Sequence, residues 1–178
     1  MPFTIDEFLD VFRRYNEAVW PAQWILFFLA LIAVAAAFRA RWLNRAPAFI
    51  LAVLWLWTGA VYHLAYFRAI NPAAAIFGAL FVVQAGIFVW LALRKPAVRF
   101  AVPRDVAGVL GGLMIVFALI VYPSLGWLAG HRYPAAPTFG LPCPTTVFTF
   151  GLLLWVQPAL PRRVLIIPVL WSLVGTLA

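Results

Sequence analysis

The stretch from residue 70 to residue 93 reads INPAAAIFGALFVVQAGIFVWLAL and holds no charged side chain over 24 residues. A helix needs about 20 mostly apolar residues to cross a hydrocarbon layer of about 30 Å. An uninterrupted apolar run of this length is typical of a membrane-spanning helix. The stretch therefore predicts a transmembrane helix, and the rest of the chain is interpreted around it.

The composition of the whole chain agrees with a membrane location. Hydrophobic residues make up 66% of the 178 residues and charged residues only 10%, whereas soluble domains hold about 45–50% and ~25%. The formal net charge is +8, but nearly all charge lies in short connections between apolar runs, where basic residues orient membrane proteins. We therefore expect the lipid bilayer as a partner and no nucleic acid.

Five further apolar runs accompany residues 70–93. Together they predict an all-α fold: a polytopic bundle of about six transmembrane helices that forms a single membrane domain over residues 1–178. The predicted spans are 20–38, 46–67, 70–93, 106–130, 144–160 and 164–178. The last run holds only 15 residues, so we expect either a short helix there or a chain that ends early.

The leading segment, residues 1–19, predicts a short amphipathic helix. Thr4 and Glu7 have the spacing of a capping box, in which each side chain binds a free backbone N–H of the first turn. Apolar residues recur at helical spacing through this segment, with charged residues between them. We expect this helix either in the membrane interface or packed as a cap on the bundle.

Lysine and arginine are unevenly divided between the two sets of connections. Nine belong to the loops after the first, third and fifth spans, and four to the other side; the nine are Arg39, Arg41, Arg45, Arg94, Lys95, Arg99, Arg104, Arg162 and Arg163. The side richer in basic residues is usually cytoplasmic. We therefore predict basic cytoplasmic loops and an outside N-terminus.

Few polar residues lie deep in the predicted spans. No Asp, Glu, Lys or Arg lies in the middle of a span, so no catalytic residue is assigned and the question of an enzyme stays open. Gln84 is the notable deep polar residue, for which we expect an interhelical hydrogen bond. Gly108 and Gly112 form a G-x-x-x-G pattern, which predicts a close helix contact.

Both histidines and the single cysteine fall at the outer ends of predicted spans. His63 lies near the end of the second span, His131 follows the fourth, and Cys143 precedes the fifth. Imidazole and thiolate suit zinc or copper, so these three residues are a candidate metal site. Tyr133, Cys143 and Thr145 are candidate ligand-binding residues. The alternative for Cys143 is a structural role as a small buried side chain.

Cys143 stands between two prolines, in LPCPTT at residues 141–146. If Pro144 is the first helical residue, Cys143 is the N-cap, and the positive end of the helix dipole lowers its pKa. The preceding loop, residues 131–142, is rich in proline and is expected to be either a lid over a cavity or a stiff connector.

Several blocks of this chain resemble a family of bacterial multi-spanning membrane proteins of unknown function. The resemblance runs over nearly the full length and rests on Phe3-Thr4, YNEAVWP at residues 15–21, Tyr62-His63, INPA at residues 70–73 and YPAAPTFGLPCPTT at residues 133–146. It implies a bacterial inner (plasma) membrane protein with no assigned activity. Similar proteins continue a little past the sixth span, which favours an early-ending chain here.

These observations support three functional hypotheses. The first is a pocket at the outer face, formed by His63, His131, Tyr133 and Cys143, that binds or transports a small ligand or a soft metal ion. The second is a non-catalytic membrane subunit that packs against a partner protein. The third is a membrane enzyme that acts on lipid or quinone, with residues 131–142 as its lid.

Overall fold

The computed structural model describes residues 3–39, 44–94 and 98–175, which form seven helices and one short pair of strands. Arg41, Lys95 and the end of the predicted sixth span, residues 176–178, lie outside the described residues. The elements are α1 (Ile5–Ala18), α2 (Ala22–Arg39), α3 (Ala46–Ala69), α4 (Ala74–Leu93), β1 (Arg99–Phe100), α5 (Val106–Leu128), α6 (Pro142–Leu153), β2 (Val156–Gln157) and α7 (Ile166–Gly175).

Four of these helices are long and apolar enough to cross a membrane. They are α2, α3, α4 and α5, with 18, 24, 20 and 23 residues. Their outward faces carry large apolar side chains such as Phe28, Ile32, Val109 and Leu113, each more than half exposed. Exposed apolar side chains along whole helices are expected where the surroundings are lipid rather than water. These helices therefore support a membrane protein.

The helices in the predicted fifth and sixth spans are shorter than expected. Helix α6 has 12 residues, about 18 Å at ~1.5 Å per residue, and α7 has 10 residues after a 3₁₀ turn at Arg162–Leu165. Pro158 and Pro161 stand between them, and a proline inside a helix removes a hydrogen bond and clashes with the preceding turn. The predicted helix over 144–160 is therefore wrong beyond Leu153.

Residues after α6 pair with residues before α5, which adds a short strand pair to the predicted all-α fold. Strands β1 and β2 are antiparallel, with Arg99 opposite Gln157 and Phe100 opposite Val156. The indole of Trp155 donates to the backbone oxygen of Gly108 at 3.1 Å. We call this side of the bundle the strand end. The opposite side, which α1 covers, is the α1 end.

Helix α1 packs on the bundle as a cap. Its capping box is present as predicted, because Thr4 N–H donates to Glu7 Oε2 at 2.7 Å and Glu7 N–H donates to Thr4 Oγ1 at 3.2 Å. Its apolar stripe is buried, with Val11 and Tyr15 at 0% exposure. Of the two positions expected for this segment, the structure therefore has the packed cap.

Pairs of glycines set the closest helix contacts. A Cβ on Gly59 of α3 would lie 2.9 Å from the carbonyl oxygen of Gly78 on α4, and a Cβ on Gly111 of α5 would lie 2.7 Å from that of Gly151 on α6. The predicted G-x-x-x-G contact through Gly112 is wrong, because a Cβ there meets only one atom, at an ordinary 3.9 Å. Gly108 does lie on the buried face of α5, but the next glycine on that face is Gly111 rather than Gly112.

Gln84 makes the expected interhelical hydrogen bond. Its side-chain Nε2 donates to the backbone oxygen of Val164 at 3.0 Å, so it ties α4 to the 3₁₀ turn before α7. Leaving a buried polar group without a partner costs about 1–3 kcal/mol; this bond satisfies Nε2 of Gln84, whereas its Oε1 is buried without a partner.

Candidate functional site

A cavity of about 350 Å³ lies between α1 and the end of the bundle that α1 covers. We call it the α1 cavity. Helices α1, α3, α4, α5, α6 and α7 all contribute to its wall, together with the loop before α6. The wall is mainly aromatic and aliphatic, and its largest members are Phe8, Phe12, Phe67, Phe77 and Trp171.

Two of the three long helices on this wall, α3 and α5, depart from α-helical winding where they reach the cavity. Helix α3 is wound as a π-helix over Thr58–Tyr66, and α5 over Phe117–Val121. The cavity residue Tyr62 lies within the first of these segments, and the cavity residue Tyr122 directly follows the second. Wide turns of this type are frequent at functional sites because they change the direction in which side chains point.

A few polar groups interrupt the apolar wall. They are Tyr62, Asn71, Tyr122, His131 and Cys143. The structure therefore brings two of the predicted site residues, His131 and Cys143, to one cavity, although no hydrogen bond joins them among the described residues.

Cys143 is not the N-cap of α6. The helix begins one residue before it, at Pro142, with Leu141 as the N-cap residue. The side chain is exposed to the cavity, but protein surrounds it on its other sides. Burial raises the pKa of the Cys143 thiol above its ordinary value, and a hydrogen bond with Tyr122 opposes this shift only in part. The expected lowering of the pKa is therefore wrong, because Cys143 is not the N-cap residue and burial raises the pKa of its thiol.

His63 lies behind the cavity wall rather than on it. Its side chain is 0% exposed and is enclosed by the rings of Tyr62, Phe67, Phe77, Phe81 and Trp171, whose centroids lie 4.8–6.1 Å from that of the imidazole. Neither ring nitrogen has a hydrogen-bond partner.

Tyr133 and Thr145 also lie apart from the α1 cavity. Tyr133 is half exposed, packs edge-on against Trp20, and donates its hydroxyl to the backbone oxygen of Asn16 at 3.3 Å. Thr145 is fully buried, and its hydroxyl has no hydrogen-bond partner. Neither residue lines the α1 cavity.

The predicted metal site has no geometric support. Within residues 3–39, 44–94 and 98–175, no three His, Cys, Asp or Glu side chains come close enough to hold one metal ion. A zinc or copper site that uses His63, His131 and Cys143 stays a prediction.

Asn16 is the residue that holds the loop before α6 in place. Its Nδ2 donates to the backbone oxygens of Pro134 and Ala136 at 2.6 and 2.8 Å, and its Oδ1 accepts from the Thr138 hydroxyl at 2.7 Å. Of the two expectations for this loop, the bonds favour a stiff connector. This role was not predicted from the sequence, although Asn16 lies next to Tyr15 on the buried stripe of α1.

Tyr15 joins α1 to the aromatic groups of α3. The Trp57 indole donates to its hydroxyl at 2.8 Å, and its ring packs edge-on against Tyr62 and Tyr66. Burial raises the pKa of Tyr15 to about 12. The phenol therefore stays neutral over the physiological range.

A second cavity of about 600 Å³ lies between α2 and α5, beside the loop. We call it the α2–α5 groove. It is lined by exposed aromatic residues, among them Trp24 and Trp127, and by Gln23, whose Oε1 atom is buried without a partner. His131 and Pro137 line both the groove and the α1 cavity, so the loop is the partition between the two.

The fold and the site together define a class: a helical protein with four membrane-length apolar helices and an aromatic cavity capped by an amphipathic helix. Within it, the chain belongs to the family described as "Family of unknown function (DUF6064)", which matches residues 5–178. The expected membership of a family of unknown function is confirmed. No curated protein and no solved structure matches the chain.

Proposed function

We propose that this membrane protein binds a small, mostly apolar molecule in the α1 cavity. The observation that carries the proposal is the composition of the wall, in which aromatic and aliphatic residues surround a few polar groups. Binding sites for small molecules are concave, mostly apolar and about 300–1,000 Å³ in volume, with a few polar groups that orient the ligand. At about 350 Å³, the α1 cavity falls within that range.

The kinds of residue that line the α1 cavity limit the class of ligand that it can bind. Among the described residues, no Asp, Glu, Lys or Arg side chain lines the α1 cavity. A charged ligand would therefore lose its hydration without gaining an opposite charge, which is strongly unfavourable. A neutral molecule with a long apolar part fits the wall better than an ionic substrate does.

We include in this proposal the topology expected from the sequence, in which the chain crosses a bacterial inner membrane about six times with the N-terminus outside. In this topology α6 runs from the α1 cavity to the strand end, and α7 returns to the cavity at Gly175. Seven described arginines lie at the strand end, which supports a cytoplasmic position for it; they are Arg39, Arg45, Arg94, Arg99, Arg104, Arg162 and Arg163. The α1 cavity then opens on the outer side.

Alkylation of Cys143 tests whether the cavity takes a ligand. Cys143 is the single cysteine, so the rate of its reaction with N-ethylmaleimide reports on the cavity wall. The protein is placed in nanodiscs of one synthetic phosphatidylcholine, with and without a lipid extract of the expressing cells. We expect the extract to slow the reaction severalfold.

The control is a Glu17→Cys, Cys143→Ser variant, whose thiol lies on the exposed side of α1. Its reaction rate should not change with the extract. Equal rates at Cys143 with and without extract, or equal slowing at both positions, would contradict the proposal.

A second candidate function is a membrane subunit that packs against a partner protein. The α2–α5 groove favours it, because large apolar patches with aromatic residues mark interaction surfaces, and Trp24 and Trp127 are 50% and 59% exposed there. A partner that copurifies with the wild-type protein but not with Trp24→Ala, Trp127→Ala would support this candidate. Retention of that partner by the double variant would count against it.

A further inference from the structure

His63 is a fully buried polar residue whose two ring nitrogens are both without partners. A neutral imidazole has one N–H donor and one acceptor. Leaving a buried polar group unsatisfied is unfavourable, and contacts between an N–H group and an aromatic ring recover only a small part of that loss. Phenylalanine would fill the same aromatic surroundings without this cost, so a packing role alone does not explain a histidine here.

The wall between His63 and the α1 cavity is one side chain thick. Four of the five rings around the imidazole also line the cavity; they are Tyr62, Phe67, Phe77 and Trp171. Trp171 and Phe77 contact each other edge-on, with centroids 5.3 Å apart. A change of rotamer in either ring would extend the cavity to the imidazole.

We assign such an extension to the side chains, because α3 and α4 are already in close backbone contact beside His63. The close approach of Gly59 and Gly78 leaves no room for α3 and α4 to shift toward each other. Trp171 is only partly buried and lies near the end of α7, where a Cβ on Gly175 would still have ordinary contacts of 3.8–4.0 Å with its ring. Trp171 and Phe77 are therefore the two rings of this wall that are only partly buried.

Resting on the proposed function, we infer that His63 is the hydrogen-bonding contact for the polar end of the ligand. The ligand is a long apolar molecule that ends in a neutral hydroxyl or carbonyl group. A hydroxyl can pair with either ring nitrogen, and a carbonyl with the N–H. The apolar part lies along Phe8, Phe12 and Phe67, and the polar end reaches the imidazole past Trp171.

Photocrosslinking with two matched probes tests this inference. The probes are 1-dodecanol with a mid-chain diazirine and the corresponding diazirine dodecane, each added to the full-length protein in nanodiscs. Crosslinked peptides are mapped by mass spectrometry. In the wild-type protein we expect the alcohol to label cavity residues about fivefold more than the alkane. One net hydrogen bond increases the binding affinity by about this factor.

Three variants separate the role of His63 from a role in folding. In His63→Phe the preference for the alcohol should fall to about one, with the protein still monodisperse. His63→Gln replaces the imidazole with an amide, which also has a donor and an acceptor, and should retain part of the preference for the alcohol. His63→Leu is a second apolar variant that replaces His63→Phe if the latter does not fold.

The outcomes distinguish this inference from the proposed function. Equal labelling of the cavity by both probes in the wild-type protein, or an unchanged preference in His63→Phe, overturns the inference and leaves the cavity as a binding site. Absence of labelling of cavity residues by either probe overturns the proposed function as well.

Discussion

The hydroxyl of Thr138 donates a hydrogen bond of 2.7 Å to Oδ1 of Asn16, a residue 122 positions earlier in the chain. This bond belongs to the set through which one asparagine of α1 holds the loop before α6. Because that loop forms part of the α1 cavity and of the α2–α5 groove, the position of α1 and the shape of both cavities depend on Asn16.

Replacing Asn16 should therefore weaken the contacts between α1 and the loop before α6. Asn16→Ala leaves the backbone oxygens of Pro134 and Ala136 without their donor, and we expect a loss of about 2 kcal/mol or more in the free energy of unfolding. A lower melting temperature and faster trypsin cleavage at the exposed Arg132 would show it. Glu17→Ala, an exposed neighbour, is the control. Equal melting temperatures for the two variants would contradict this role.

Adjacent glycines of α5 offer a matched test of the helix contacts. A Cβ on Gly111 would lie 2.7 Å from the Gly151 carbonyl oxygen, so Gly111→Ala should destabilise the protein by about 1–3 kcal/mol. Gly112→Ala has space for its Cβ and should be neutral or slightly stabilising, because alanine favours a helix by up to about 1 kcal/mol over glycine. Thermal unfolding in detergent measures both, and the reverse order would refute the α5–α6 packing.

The alkylation rate of Cys143 should increase only at a higher pH than that of an exposed cysteine. Burial raises the pKa of its thiol, so less thiolate is present at neutral pH than for an exposed cysteine, and the alkylation rate should still be increasing above pH 9. The exposed thiol of Glu17→Cys, Cys143→Ser should titrate near the ordinary value of about 8.5. A rate at Cys143 that levels off below pH 8 would mean that the helix dipole prevails over burial.

Elemental analysis tests the metal hypothesis. Because only His131 and Cys143 of the three predicted ligands line the cavity, we expect equal zinc and copper contents in the wild-type protein and in Cys143→Ser. Near-stoichiometric metal that is lost in Cys143→Ser would restore the predicted site and would require His63 to turn into the cavity.

The long spans could be predicted from the sequence because their signal is local. The runs over residues 46–67 and 106–130 correspond to α3 and α5 with the same first residues, Ala46 and Val106. The end of α6 could not be predicted from hydropathy, since residues 154–156, which follow it, are Leu, Trp and Val. Their pairing with β1 is a contact between distant parts of the chain.

The depth of the candidate site residues in the bundle could be predicted from the sequence, but the direction in which their side chains point could not. Hydropathy places His63, His131 and Cys143 near one end of the bundle, and two of them do line one cavity. The direction in which His63 points depends on the rotation of α3, which its π-helical turns alter. Asn16 was missed because two of its partners are backbone oxygens 118 and 120 residues away, which no side-chain pattern reveals.

The central claim, a ligand in the α1 cavity, is tested most directly by the small molecules that remain bound to the gently purified protein. Native mass spectrometry and analysis of the extracted small molecules are carried out on three proteins. They are the wild type, Cys143→Trp, whose larger side chain fills the cavity, and Ile25→Trp, which adds the same side chain at an exposed position of α2. We predict one neutral apolar species near stoichiometry in the wild type and in Ile25→Trp, and a severalfold loss in Cys143→Trp, with all three proteins monodisperse. The same bound species in all three proteins, or none in the wild type, would contradict the claim.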